Sequence, residues 1–380
     1  MLILCRNGSI VLANRDMSNR DKIIRAGIGS TFMRNSNIEL LRIVAMLAII
    51  AHHYVVNSTV TGLFDPLHPT ANQVFLQLWG MWGKTAINVF VLITGYFMCE
   101  SRLTAKRYCK ILFEIIFYSW VMWFVLSAFG HEAITWKGAF NRLILRYITA
   151  NQDGGFIPGF MWMYLLIPGM NVYLHAASKR NLYASVGVLL AMFTLCGTFL
   201  IANVYHHVFW YVTLYFVGAI IRMYPFGWMS RNKVCAPLFC SAIVLSWCSV
   251  LAFDFIGWYF GKAGWASMWQ YMVSDSHKLF AFGVALMAFL TFKNLRMTQS
   301  RFINAVASTT FGVLLIHAAT DGMRKWLWRD FVNVPGAYAM PLVSLIGYSF
   351  IVMIGVFAVC SALDYLRIRF IERPIFKLFK

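Results

Sequence analysis

Long apolar runs, broken by short polar segments, recur from residue 38 almost to the end of the chain. They fall near 38–56, 74–98, 111–129, 157–175, 182–202, 207–223, 234–253, 268–292, 302–320 and 341–363. Each is near the roughly 20 residues that a helix needs to cross a bilayer. The pattern predicts an all-α integral membrane protein with about ten transmembrane helices. Short segments of strictly alternating polarity, which a membrane β-barrel requires, are absent. Pro168-Gly169 predicts a break inside the fourth run. The linking loops are too short for a soluble domain, so any chemistry falls to the helices and their connections.

Composition agrees with this reading. Apolar residues make up 60% of the 380 residues and charged residues only 12%, half the share of about 25% in soluble domains. The net charge of +19 raises nucleic-acid binding, but its distribution argues otherwise. With the N-terminus inside, 24 of the 33 Lys and Arg fall in inside segments and eight in outside loops. That is the positive-inside bias of a membrane protein. It predicts both termini in the cytoplasm and gives nucleic acid no support. The eight cysteines are scattered and lack CxxC spacing. They predict small buried hydrophobes and no metal site. Residues 1–33 carry Arg6, Arg15, Arg20, Lys22 and Arg25 with only short apolar patches, which predicts a mobile cytoplasmic tail. Residues 34–380 then form the membrane domain, with no extramembrane catalytic domain; Met33 offers an alternative start.

Ionisable residues inside spans point to function. In the first run Arg42 and His53 are eleven residues apart. Eleven steps of about 100° end about 20° past three turns, so the two side chains share a face, about 16 Å apart along the axis. Glu39 falls near the same face, whereas His52 is rotated by about 100° and meets a different neighbour. Lys84 and Asn88 lie one turn apart in the second run. Arg107 and Lys110 are likewise spaced to grip one polyanion. His317 ends the ninth run at a depth similar to that of His53. Each has a plainer alternative. Arg42, His53 and Lys84 can snorkel to an interface, the basic step can reflect positive-inside bias, and His317 can be a hydrogen-bonded structural residue.

Taken in order, Arg42-x10-His53, the run Asn88–Phe97, Arg107-x-x-Lys110, Trp162–Pro168, Tyr215–Gly218 and Ser308–His317 resemble the membrane-bound acyltransferase-3 family. Arg34–Arg42 looks like members from bacterial surface-polysaccharide gene clusters. Two departures stand out: Lys110 replaces the second arginine of the family's basic step, and Thr94 replaces a serine. The resemblance implies a multi-pass enzyme of the plasma (inner) membrane. Its donor is acyl-CoA, most simply acetyl-CoA, and its acceptor a sugar hydroxyl. His53, Arg42 and Glu39 are then the catalytic candidates, with Arg42, Arg107 and Lys110 for the CoA phosphates. Lys84, Asn88 and His317 are weaker candidates for acceptor or oxyanion contacts. His53 acts either as general base, a role that suits an imidazole titrating near neutral pH, or as an acyl-carrying nucleophile. The alternative function is a multi-pass exporter of a glycan or small molecule.

Overall fold

The computed structural model describes residues 35–140, 142, 155–200 and 205–378. The predicted tail at 1–33 and Arg34 lie outside them. The described residues are helical, with no strand among them. The main helices are α1 (Ser36–Val56), α2 (Ala71–Gly80), α3 (Gly83–Met98), α4 (Ala105–Ala128), α5 (Phe156–Ala176), α6 (Lys179–Leu190), α7 (His207–Met223), α8 (Asn232–Phe260), α9 (Leu279–Lys293), α10 (Arg301–Ala307), α11 (Thr310–His317) and α12 (Leu342–Arg367).

All ten apolar runs fall largely on helix, but they are not ten equivalent rods. Six helices are long and apolar enough to cross a membrane, or seven if the pair Arg301–His317 and Asp321–Ala337, bent by 94°, is one span. Helices α7 and α9 are apolar but shorter. The second run is split at Gly80–Gly83 into α2 and α3. The eighth is split by the polar stretch Ser274–Lys278 ahead of α9. In the ninth, the hydroxyls of Ser308, Thr309 and Thr310 each bond a carbonyl three residues back, at 2.6, 2.7 and 2.9 Å. Such local bonds compete with the helical ladder, and α10 gives way to α11 there. The predicted break at Pro168 does not occur: α5 runs through it unbroken. Pro168 sits on the exposed face, and a proline removes one backbone bond without ending a helix that its neighbours hold.

Helix starts follow local chemistry. Thr70, Thr104, Ser178 and Ser300 each accept a hydrogen bond from the backbone N–H three residues on, capping α2, α4, α6 and α10. The tightest crossing joins α3 to α7. A Cβ on Gly95 would lie 2.3 Å from the Tyr215 carbonyl oxygen, and one on Gly218 would lie 2.5 Å from that of Leu92. Only glycine lets these backbones meet. Beside this pair, α1 packs among α3, α9, α11 and α12, so its polar face looks into the bundle.

Candidate functional site

The two adjacent histidines of α1 have separate environments, as helical phase requires. His52 turns to the gap between α2 and α3, where its Nδ1 donates to the Gly80 carbonyl at 2.5 Å. A Cβ on Gly83 would lie 2.3 Å from the His52 ring. The imidazole thus wedges the break open, and glycine makes room for it. His53 turns to α11. Its Nδ1 lies 2.9 Å from Nε2 of His317, with the ring centroids 5.1 Å apart. His317 is fully buried and its Nδ1 lies 2.6 Å from the Val313 carbonyl oxygen, one turn back on α11. The Trp328 ring meets the His317 ring nearly at right angles, with the centroids 6.3 Å apart. His53 itself is half-buried. Lys84 and Arg324 bring positive charge within electrostatic reach of it.

Arg42 stands at the other end of α1, its guanidinium 3.7 Å from the carboxylate of buried Glu39. That distance is an ion pair without a hydrogen bond, and the buried Arg42 Nε has no hydrogen-bond partner. Arg42 opens onto a cavity of about 270 Å³, whose walls include Met46, Met98, Glu114, Tyr164 and Leu314. Met46 is seven residues below His53 and Leu314 three before His317, or about 10 Å and 5 Å along their helices. Arg107 reaches the same end. It donates to the Arg102 carbonyl at 3.2 Å and approaches the Met98 sulfur at 4.0 Å. The charges of Arg42 and Arg107 both reach Tyr164.

The remaining candidates are engaged elsewhere. Lys110 pairs with Glu372 at 2.6 Å. Glu372 in turn belongs to a buried ionic cluster in which Arg367 holds Asp364, Glu372 and Glu114 at 2.7, 2.6 and 3.0 Å. Tyr118 donates to Asp364 at 2.8 Å. Asn88 is fully buried and spends its amide on the Ser276 carbonyl, at 2.6 Å, and the Trp210 indole, at 3.0 Å. Lys84 lies 3.8 Å from Asp275.

The structure therefore joins His53 to His317 and Glu39 to Arg42, and it brings Arg107 to Met98, which lines the cavity beside Arg42. Of the predicted site residues only Arg42 lines the cavity; Glu39, His53, Lys84, Asn88, Arg107, Lys110 and His317 lie outside its wall. Sequence reasoning passed over Glu114, which lines the cavity. Its signal was present: a carboxylate in an apolar run is as costly there as a histidine. Chemically, the arrangement offers a mostly apolar cavity with a guanidinium and a carboxylate in its wall, and a hydrogen-bonded pair of imidazoles outside it.

The acyltransferase-3 family model, described as an acyltransferase domain, matches residues 35–365. No curated protein and no solved structure gives a match.

Proposed function

Since the chain belongs to the acyltransferase-3 family, we propose that this membrane acyltransferase moves an acyl group, most simply acetyl, from cytoplasmic acyl-CoA to a hydroxyl of a cell-surface or lipid-linked glycan. The carrying observation is the cavity, with Arg42 at one end and Leu314, one turn from His317, toward the other. Its volume of about 270 Å³ falls below the roughly 300–1,000 Å³ typical of sites that enclose a drug-sized ligand. It suits the slim pantetheine arm better than the adenine nucleotide. The nucleotide stays at the mouth, where Arg42 and Arg107 face its phosphates with charge-assisted hydrogen bonds. Lys110 contributes only from the rim, because Glu372 already holds it.

The arm enters from the Arg42 end, and its thioester reaches the level of His53, roughly 16 Å from Arg42, when the helices part above Met46 and Leu314, where the cavity ends. There the acceptor hydroxyl arrives from the opposite side. His53 takes its proton, the oxygen attacks the thioester carbonyl, and the carbon–sulfur bond breaks. The CoA thiolate leaves with the electron pair and recovers the proton from His53. Lys84 and Arg324 bring positive charge toward His53, although each is also paired with a carboxylate, Asp275 and Asp321, and that charge favours an oxyanion developing beside the imidazole. The enzyme works in the plasma (inner) membrane, with the basic mouth in the cytoplasm. Mass spectrometry of surface glycans from cells with and without the protein tests the reading. An acyl mass increment that appears only with the protein is expected; identical glycans overturn it.

A further inference from the structure

The hydrogen bonds around His317 fix more than a contact. A carbonyl oxygen can only accept, so the His317 Nδ1 that lies 2.6 Å from the Val313 oxygen carries a proton. His317 is fully buried, and no carboxylate pairs with it among the described residues. A charged imidazole in that setting would be costly, so the ring is neutral and has no second proton. Its Nε2 is then a lone pair and must accept. The partner 2.9 Å away is His53 Nδ1, which must donate. A second proton on His53 would set a cation within reach of Lys84 and Arg324, with no carboxylate paired to it among the described residues, so this ring too is neutral: it carries its one proton on Nδ1 and leaves Nε2 bare. That Nε2 has no hydrogen-bond partner among the described residues.

We infer that His317 is a positioning residue: through the relay from the Val313 carbonyl it holds His53 in the tautomer whose free lone pair lies on Nε2. The use of that lone pair rests on the proposed acyl transfer; the tautomer does not. A base must present a lone pair to the hydroxyl it deprotonates. Without an acceptor at Nδ1 the ring can carry its proton on either nitrogen, and the fraction protonated on Nε2 is inert. When His53 takes the acceptor's proton on Nε2, the Nδ1–H still points at His317 Nε2, so the transient cation keeps a buried hydrogen-bond partner. The relay is legible in the chain as a spacing: Val313 and His317 are one helical turn apart, so the ring can reach back to that carbonyl.

Two measurements test this on the full-length protein in detergent. The first is nitrogen NMR of wild type labelled with ¹⁵N-histidine, the His53 signals being assigned by their loss in H53Q. The expected spectrum has a protonated Nδ1 and a bare Nε2 on His53; a proton on Nε2 overturns the inference. The second is kinetic. H317F, which offers no acceptor, should lower kcat at least about tenfold, toward the 10²- to 10⁴-fold that base catalysis contributes. Its KM for acetyl-CoA should stay within about twofold, because the donor mouth is untouched. H317Q, whose side-chain oxygen can accept from His53, should recover most of the rate. Equal rates in the two variants overturn the positioning role. Should H317F fail to fold, the nitrogen spectrum still decides. Absence of acyl transfer in wild type sinks the proposed function and leaves the tautomer assignment open to the same spectrum.

Discussion

Arg42 and Lys110 show how much a residue's neighbours decide. Both are basic and both sit near the start of a helix. Yet Arg42 faces a cavity with an unpartnered Nε, whereas Lys110 is held by Glu372 at 2.6 Å. A charge-assisted hydrogen bond contributes about 1.5–3 kcal/mol. R42A and R107A should therefore each raise the KM for acetyl-CoA by about tenfold to a hundredfold, and less at high salt. K110A alone should change it little, because its half-exposed pair belongs to a different contact. Titration of acetyl-CoA at two ionic strengths checks this; a larger effect from K110A than from R42A would contradict it. The phase that puts Arg42 and His53 on one face was readable from an eleven-residue spacing. The bond between His53 and His317 was not, because it joins residues 264 positions apart. Similar depth in the membrane made the meeting possible to suspect, but only packing of α1 against α11 makes it a hydrogen bond.

Among the elements, α3 and α7 carry the most exacting contact. Gly95 and Gly218 face the opposing backbone at distances where a Cβ would lie 2.3 and 2.5 Å from a carbonyl oxygen. Overpacking usually costs about 1–3 kcal/mol, and here the obstruction is backbone, which cannot rotate away. G218L should therefore lower the thermal midpoint of the purified protein and its yield, while leucine at exposed Gly169, with nothing within 4 Å of its Cβ, should not. Equal stability of the two variants would contradict the crossing. The break between α2 and α3 belongs to this scale too. The sequence reads as one run over 74–98 because its hydropathy hardly falls across Met81-Trp82. Gly80 and Gly83 marked the spot, but the cause is His52, an imidazole from another helix that claims the Gly80 carbonyl. Hydropathy cannot register a wedge supplied by a distant segment. The buried cluster around Arg367 escaped for a related reason: Glu114 and Asp364 are single carboxylates in separate apolar surroundings, and only folding assembles them on one arginine.

For the whole molecule, the proposal depends on sidedness. Arg42, Arg107 and the cavity mouth must face the compartment that holds acyl-CoA. The 24-to-8 division of Lys and Arg argues for the cytoplasm. Cys109 lies between Arg107 and Lys110 and is exposed. In a variant keeping Cys109 as its sole cysteine, a membrane-impermeant maleimide should label inside-out vesicles and spare intact spheroplasts. The reverse pattern would turn the donor path around. The apolar runs foretold a helical membrane bundle well. They foretold less well which runs are continuous, because polar wedges, back-bonded hydroxyls and a sharp bend near residue 320 act below the resolution of a hydropathy window.

The central claim is that His53 takes the acceptor's proton while Arg42 and its neighbours hold the donor. Wild type and H53A, each purified and given acetyl-CoA with an acceptor glycan, test it most directly when free CoA release, acceptor mass and acetyl-CoA binding are measured together. Wild type should release one CoA for each acyl group found on the acceptor. H53A should still bind acetyl-CoA with near wild-type affinity but transfer about 10² to 10⁴ times more slowly. Acceptor acylation by H53A at the wild-type rate would contradict the account.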